Sequence, residues 1–409
     1  MSAAGVVVVG AGQAGFQVAA SLREAGFSDP VTLVGDEPGL PYQRPPLSKA
    51  YLAGRTDAEG LDLRPAAFFA EHRIALRAGV WAAAIDRAAR TLRLGDGDGL
   101  AYDHLVLATG ARNRPLPVPG ADLRGVRQLR GLTDADALRA ALGDARRIVV
   151  VGAGFIGLEF AAVAAARGLD VTVIEAAGRP MARAVSAETG AFFRGAHEGI
   201  GVRFAFDAAI LAIEGEAGRV AAVRLSDGRS VPADLVVVGI GVLPNQEIAA
   251  EAGLAVADGI RVDAFLTTID PAISAIGDCA RYPSPFGLGH DGTIRIESVQ
   301  NAIDQGRCLA ARLGGRPAAY AALPWFWSDQ GRHKLQIAGL AAPSDAGVLR
   351  GSGDAFSVFR FRGDRLTAVE SVNRGGDHMI ARRLLGAGRA LTAAEAADPR
   401  FDLKALAMG

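Results

Sequence analysis

Two stretches decide the fold: VVVVGAGQAGFQVAASLREAGFSDPVTLVGDE at 6–37 and IVVVGAGFIGLEFAAVAAARGLDVTVIEA at 148–176. Each reads as a short β-branched strand, a glycine turn and an alanine-rich amphipathic helix. Each helix stops at a glycine, Gly26 or Gly168, before a second strand rich in Val, Thr and Ile. These are two βαβ units, and two copies far apart are not the tandem array of a solenoid. Further buried strands are expected at Leu105–Ala108, Leu235–Val238 and Ile273–Ile276. The fold expected is α/β, with two Rossmann-like dinucleotide-binding domains.

In the first unit the turn is Gly10-Ala-Gly12-Gln-Ala-Gly15. The first glycine permits the tight turn, the second lets the backbone approach a pyrophosphate, and the third lets the helix sit against the strand. The helix N-terminus then stabilises phosphate charge. A lone motif of this kind is also an ordinary glycine turn. Here it follows a strand, opens a helix, and leads to Asp36 and Glu37 at the end of the next strand, where a carboxylate can accept from ribose hydroxyls. The second turn holds Gly152, Gly154 and Gly157, with Glu175 as its acid. A carboxylate there accepts from a 2′-OH and repels a 2′-phosphate, favouring NADH; the nearby Arg179 and Arg183 temper this, since arginine accommodates a 2′-phosphate.

Two such sites suggest two dinucleotides, most simply FAD plus a nicotinamide. Thr109 and Gly110 end a strand as a chain crossing over a cofactor would. Asp278, just past a buried strand, is placed to accept from ribityl hydroxyls. Leu235–Val238 runs into Gly239-Ile-Gly241, where missing side chains leave room for a nicotinamide.

The 409 residues carry 44 basic and 44 acidic side chains, which argues against a nucleic-acid tail or polybasic membrane arm. Glycine is in excess, 52 residues where about 7% is usual. Only Lys49, Lys334 and Lys404 are lysine in an otherwise arginine-based chain, so a lysine kept at 49 draws attention. The six histidines, His72, His104, His197, His290, His333 and His378, show no metal spacing. Cys279 and Cys308 form no zinc pattern, and residues 38–56 contain no cysteine, so no dithiol relay is expected. No basic region precedes the first apolar run, and no stretch suits a membrane span; a cytoplasmic location and no membrane or nucleic-acid partner are expected. After about Leu323 the composition changes: Trp325, Phe326, Trp327, Phe356, Phe359 and Phe361 cluster with alternating strands, and a helix follows at His378–Leu385.

The segments Pro45-Pro-Leu-Ser-Lys49, Arg295-Ile-Glu-Ser-Val-Gln-Asn301 and Trp325-Phe-Trp-Ser-Asp-Gln330 make the chain resemble the FAD-dependent pyridine nucleotide reductases. Within them it is most similar to the NADH-dependent ferredoxin reductases of bacterial oxygenase systems, over essentially its full length. The resemblance implies an FAD-binding domain in two parts, 1–112 and 245–322, an NADH-binding domain at 113–244, and a C-terminal α+β interface domain at 323–409. It implies FAD contacts at Ala14, Asp36, Lys49, the backbone near Ala82, Arg130, Asp278 and Val299. NADH contacts are implied at Gly154, Ile156, Glu159, Glu175, Arg183 and Gly241. Lys49 pairs with Glu159 beside the flavin in such relatives, and Trp327 borders the isoalloxazine. These three are the expected catalytic residues. The implied partner is a [2Fe–2S] ferredoxin, met transiently, that serves a cytochrome P450 or ring-hydroxylating dioxygenase; the chain itself would be a monomer or weak dimer. A basic docking face is expected among Arg332, His333, Lys334, Arg382 and Arg383, with Arg295, Arg307 and Arg312. The rival readings are a rubredoxin reductase, an NADH oxidase-like flavoprotein and an NADH-sensing binding protein.

Overall fold

A computed structural model describes residues 4–287 and 292–409, so His290 lies outside the described residues. The chain packs as two compact units. The first comprises Met1–Gln43, Leu61–Arg112 and Leu243–Phe326. Its centre is a five-stranded parallel sheet in the order Ile273–Ala275, His104–Leu107, Val6–Val9, Val31–Gly35, Ile74–Ala78. Val6–Val9 lies in the middle with all four side chains buried, as a strand covered on both faces must. Val8 sits between Leu33 and Val106. The connecting helix Gln13–Glu24 buries nine consecutive residues, Ala14 to Leu22, because it also packs against the helix Val299–Leu313. The two helices approach so closely that a Cβ at Gly306 would lie 2.9 Å from the Cβ of Gln17. The helix Val299–Leu313 starts where Ser298 caps it by accepting from the Asn301 N–H.

The second unit comprises Arg44–Gly60, Asn113–Val242 and Trp327–Gly409. It too holds a parallel sheet, ordered Arg203–Ala205, Asp170–Ile174, Arg147–Val151, Leu235–Val238, Val126–Gln128. The fingerprint strand again lies in the middle, with Val150 between Val173 and Val237. One face is closed by the hairpin Ile210–Glu216 and Arg219–Leu225, whose Ile213, Val223 and Leu225 join Val149, Val151, Val236 and Val238 in one core. Arg147 and Asp234 clamp the start of adjacent strands at 2.6 Å, and this hydrogen-bonded pairing lowers the Asp234 carboxyl to about 2.

The C-terminal part is an antiparallel sheet ordered Trp325–Gln330, His333–Gly339, Arg365–Val372, Ala355–Arg362, Ala346–Ser352, with the helix Gly375–Gly386 packed on it. Its buried Arg360–Glu370 pair, 2.7 Å apart, also receives the backbone N–H and hydroxyl of Ser186. The fold is therefore α/β with two Rossmann-like sheets and a C-terminal α+β part, as the repeat implied.

The segment Arg44–Gly60 is sewn to the second unit by long side chains. Arg44 donates to the Arg130 carbonyl, Arg167 to the Leu52 carbonyl, and the Tyr51 hydroxyl to Asp136. Among the described residues no helix is long and apolar enough to cross a membrane.

Candidate cofactor-binding site

In both sheets the strand order reverses beside the fingerprint strand, so each glycine turn lies at the switch point where α/β sheets bind ligands. The glycines of each turn divide into two kinds. A Cβ on Gly10 would lie 2.1 Å from the Ala108 carbonyl oxygen, and one on Gly15 only 1.9 Å from the Gly10 oxygen. Those two are demanded by the fold. A Cβ on Gly12 would meet no atom of the described residues within 4 Å, and its φ of −80° suits any residue. The second turn repeats this: Gly152 and Gly157 are blocked at 2.5 and 2.3 Å, whereas Gly154 has only the Gly239 oxygen at 3.9 Å. No described residue excludes a side chain at Gly12 or Gly154. Both head a helix of twelve residues whose first-turn N–H groups can receive a phosphate. The two turns therefore fit a dinucleotide pyrophosphate each.

Around the first turn, Asp36 is exposed at the end of its strand, while Glu37 accepts from the Tyr42 hydroxyl. Ala14 is buried, and Gly277 approaches it closely, so Asp278 on the short 3-10 turn Gly277–Cys279 stands beside the fingerprint helix. Gln305 fixes that turn by accepting from the Gly277 N–H at 2.6 Å. Val299 opens the long C-terminal helix of this unit, and Ala82 opens the strand Ala82–Asp86. The Thr109 hydroxyl donates to the Asn245 carbonyl, and the Asn245 amide donates back to the Thr109 carbonyl. The Thr109–Gly110 corner is thus held by Asn245, a residue without a sequence signal.

Around the second turn, Glu175 accepts from the N–H groups of Ala153 and Ala177, at 2.7 and 2.9 Å. The acid is fastened to the glycine loop itself, and its remaining lone pairs are free to take a ribose hydroxyl. Ile156 in the first helical turn is 43% exposed, an apolar side chain left at the open end of the sheet. Gly241 has φ +99° with no atom of the described residues within 4 Å of its would-be Cβ. Arg183 is exposed. Arg179, expected as a possible 2′-phosphate ligand, is instead spent on the carbonyls of Ala182, Val185 and Ser186.

The same unit brings Lys49 and Glu159 together. Lys49 Nζ lies 2.6 Å from Glu159 Oε2 and also donates to the Pro45 carbonyl at 3.0 Å. Glu159 is 4% exposed, on the inner face of the helix Phe155–Ala166. It receives two further donors that sequence reading missed: Ser48 Oγ at 2.5 Å on Oε2 and Ser328 Oγ at 2.6 Å on Oε1. Trp327, half-buried, precedes Ser328 on the strand Trp325–Gln330. Arg130, also half-buried, gives its N–H to Asp134.

Both cysteines are free. Cys279 is fully buried, its thiol against the carbonyls of Leu107 and Ile276, and burial pushes its pKa up. Burial also raises the Cys308 thiol. Neither is poised as a nucleophile.

Residues 4–306 match the pyridine nucleotide-disulphide oxidoreductase family, and 325–407 match the reductase C-terminal domain. The chain belongs to the pyridine nucleotide-disulphide oxidoreductase family. Membership makes it a flavoprotein oxidoreductase with FAD and NAD(H) as its cofactors, in agreement with the two cradles. Within the family it is 54% identical to rhodocoxin reductase of Rhodococcus erythropolis, over 98% of this chain and 93% of that protein. The crystal structure of a ferredoxin reductase from Rhodopseudomonas palustris superposes with a TM-score of 0.95 at 51% identity, covering 98% of this chain and 99% of that one. The covalent putidaredoxin reductase–putidaredoxin complex gives 0.93 at 41% identity, covering 98% and 97%.

Two of the arginines expected on a basic docking face are turned inward. Arg295 is 10% exposed and pairs with Glu297 and Asp258. Arg312 donates to Thr267 and Ser274 beside the half-buried His104. Their charges are spent inside the first unit, so neither belongs to that face. Arg307, Arg332, Lys334 and Arg383 are exposed.

Proposed function

We propose that this chain is an NADH-dependent ferredoxin reductase that passes electrons through FAD to a [2Fe–2S] ferredoxin serving a cytochrome P450 or a ring-hydroxylating dioxygenase, in the cytoplasm. The observation that carries this reading is the pairing of two glycine cradles open to ligand with two thiols withdrawn from chemistry. A disulphide relay has no residues here, so electrons must leave for an external carrier. Bound FAD supplies the conversion of a two-electron donor's electrons into single-electron deliveries. The chain's own contribution is orientation and charge.

In the first unit Gly12, Ala14, Asp36, Ala82, Asp278 and Val299 are assigned to FAD. In the second, Gly154, Ile156, Glu175, Arg183 and Gly241 are assigned to the nicotinamide, and Arg130 to FAD. Lys49 supplies a fixed positive charge that favours the reduced over the oxidised cofactor, Glu159 holds that charge in place, and Trp327 borders the ring system. Relatives with ferredoxin or redoxin partners in their names support the carrier's identity.

The test is anaerobic reduction of the purified holoenzyme by NADH or NADPH, followed by addition of ferredoxin, rubredoxin, oxygen or a disulphide. A [2Fe–2S] ferredoxin should outpace every other acceptor, and NADH should reduce faster than NADPH. If oxygen or rubredoxin is the faster acceptor, the ferredoxin reading is wrong. A long-lived NADH complex that no acceptor discharges would favour a sensing protein.

A further inference from the structure

The Trp-Ser-Asp-Gln segment enters the reading above only through its tryptophan. Along a strand, side chains alternate between faces, so Ser328 and Gln330 point opposite to Trp327 and Asp329. Ser328 and Gln330 are almost fully buried, at 0% and 2% exposure, whereas Trp327 and Asp329 keep partial exposure. On their buried side a string of donors runs toward one carboxylate. The His197 ring lies 2.9 Å from Gln330 Oε1, which can only accept, so His197 Nε2 carries the proton. Gln330 Nε2 donates to Ser328 Oγ at 3.4 Å, and Ser328 Oγ donates to Glu159 Oε1 at 2.6 Å. Each link donates in the same direction, and the string ends on Glu159, whose other oxygen holds Lys49.

A carboxylate fixed through one oxygen alone is free to swing, because its terminal torsion is broad. Ser48 and Lys49 both act on Oε2; Ser328 alone among these three donors acts on Oε1. We propose that Ser328 is a positioning residue for the hydride-transfer step: by gripping Oε1 it sets the plane of the Glu159 carboxylate and so the position of the Lys49 ammonium. Gln330 and His197 orient the serine hydroxyl. This rests on the assignment of Lys49 and Glu159 made above.

The experiment compares wild type with Ser328→Ala, Ser328→Cys, Glu159→Gln and the Ser328→Ala/Glu159→Gln double variant, all as holoenzymes. Three quantities are read: the limiting rate of flavin bleaching by NADH under anaerobic stopped flow, the NADH concentration for half-saturation, and the flavin midpoint potential. Ser328→Ala is expected to slow bleaching about tenfold with unchanged half-saturation. It is also expected to shift the potential negative by about 30 mV, the two-electron equivalent of a tenfold change. Ser328→Cys, which keeps the volume but donates weakly, should slow as much as the alanine variant. In the Glu159→Gln background, Ser328→Ala should cost nothing further, because the carboxylate it positions is already gone. A slow Glu159→Gln beside a Ser328→Ala of wild-type rate and potential overturns this inference alone. So does an undiminished loss in the double variant, or a wild-type Ser328→Cys. A Glu159→Gln of wild-type rate overturns the assignment of the ion pair, and this inference with it. Thermal unfolding of each apoprotein accompanies the kinetics, and a loss of rate that tracks a lost fold in Ser328→Ala but is absent in well-folded Ser328→Cys also counts against the proposal.

Discussion

The division of the fingerprint glycines gives a test that separates folding from binding at adjacent positions. Consider Gly12→Ala and Gly15→Ala. At Gly15 a methyl would sit 1.9 Å from the Gly10 carbonyl oxygen, well inside contact, and the blocking atom is backbone that cannot turn away. Overpacking of this kind costs about 3 kcal/mol. At Gly12 the methyl meets no atom of the described residues within 4 Å. Alanine is a poorer N-cap than glycine, but it removes unfolded-state freedom, and these roughly offset to within about 0.5 kcal/mol. The ligand bears the cost instead. Displacing a pyrophosphate from one helix N–H forfeits a hydrogen bond to a charged group, about 1.5–3 kcal/mol, or roughly 10- to 150-fold in affinity. Apoprotein is prepared from each variant, its thermal unfolding is recorded, and FAD is titrated back by fluorescence quenching. Gly12→Ala should unfold like wild type and bind FAD weakly; Gly15→Ala should unfold early. A Gly12→Ala protein that binds FAD as wild type does, or whose apo form is as unstable as Gly15→Ala, refutes the reasoning.

The second turn supplies the parallel experiment: Gly154→Ala should raise the KM for NADH at least tenfold while apoprotein stability and FAD content stay unchanged, measured by steady-state kinetics and absorbance. Because Arg179 is committed to backbone carbonyls, replacing it by Met should destabilise the loop 180–186 without changing the NADH-to-NADPH ratio, whereas Glu175→Gln should narrow that ratio; paired kcat/KM values decide it. Truncating one partner of the buried Arg360–Glu370 pair, as Glu370→Gln, should cost about 3–5 kcal/mol in denaturant unfolding, since it strands the arginine charge. Burial, reinforced by the Arg312 charge, lowers His104 to about 4 from 6.5. The unfolded chain therefore takes up a proton first, and the stability this site contributes is complete above pH 6.5 and is lost as pH falls toward 4. The loss is about 3 kcal/mol at the lower end, and His104→Gln should flatten the thermal midpoint over that window.

Local pattern carried most of the architecture. Four consecutive valines between glycines can hardly be anything but a buried strand, and the repeat at 148 made a second sheet explicit. Lys49 and Glu159, 110 residues apart, were paired only through the resemblance to a family, since no local spacing connects them. Ser48 and Ser328 escaped notice for the same reason. A serine is an unremarkable residue until a distant carboxylate is seen to need it, although the alternation of Trp325–Gln330 already placed Ser328 and Gln330 on one face. Arginines misled in the opposite direction. Arg179, Arg295 and Arg312 read as ligands or surface charge, yet Arg179 is drawn onto the carbonyls of its own loop, Arg295 reaches the Asp278 carbonyl and Asp258, and Arg312 reaches Thr267 and Ser274. A guanidinium has five donors and a long apolar stem, so its destination depends on which acceptors the folded chain brings within reach, and the residue type alone does not name them.

The close packing of Gln13–Glu24 on Val299–Leu313 bears on how the protein is made. The first helix leaves the ribosome early with almost every residue destined for burial, and its partner follows roughly 275 residues later, which at 5–20 residues per second is about 15–55 s of synthesis. The edge strand Ile273–Ala275 of the same sheet arrives nearly as late. Throughout that interval the nascent chain presents an apolar helix and an unpaired strand edge, while the intervening second sheet is already able to assemble from residues 126–238. Biosynthesis thus completes the first unit only after the second parallel sheet, and a slowed or truncated translation product should be a client for chaperones because of this one helix.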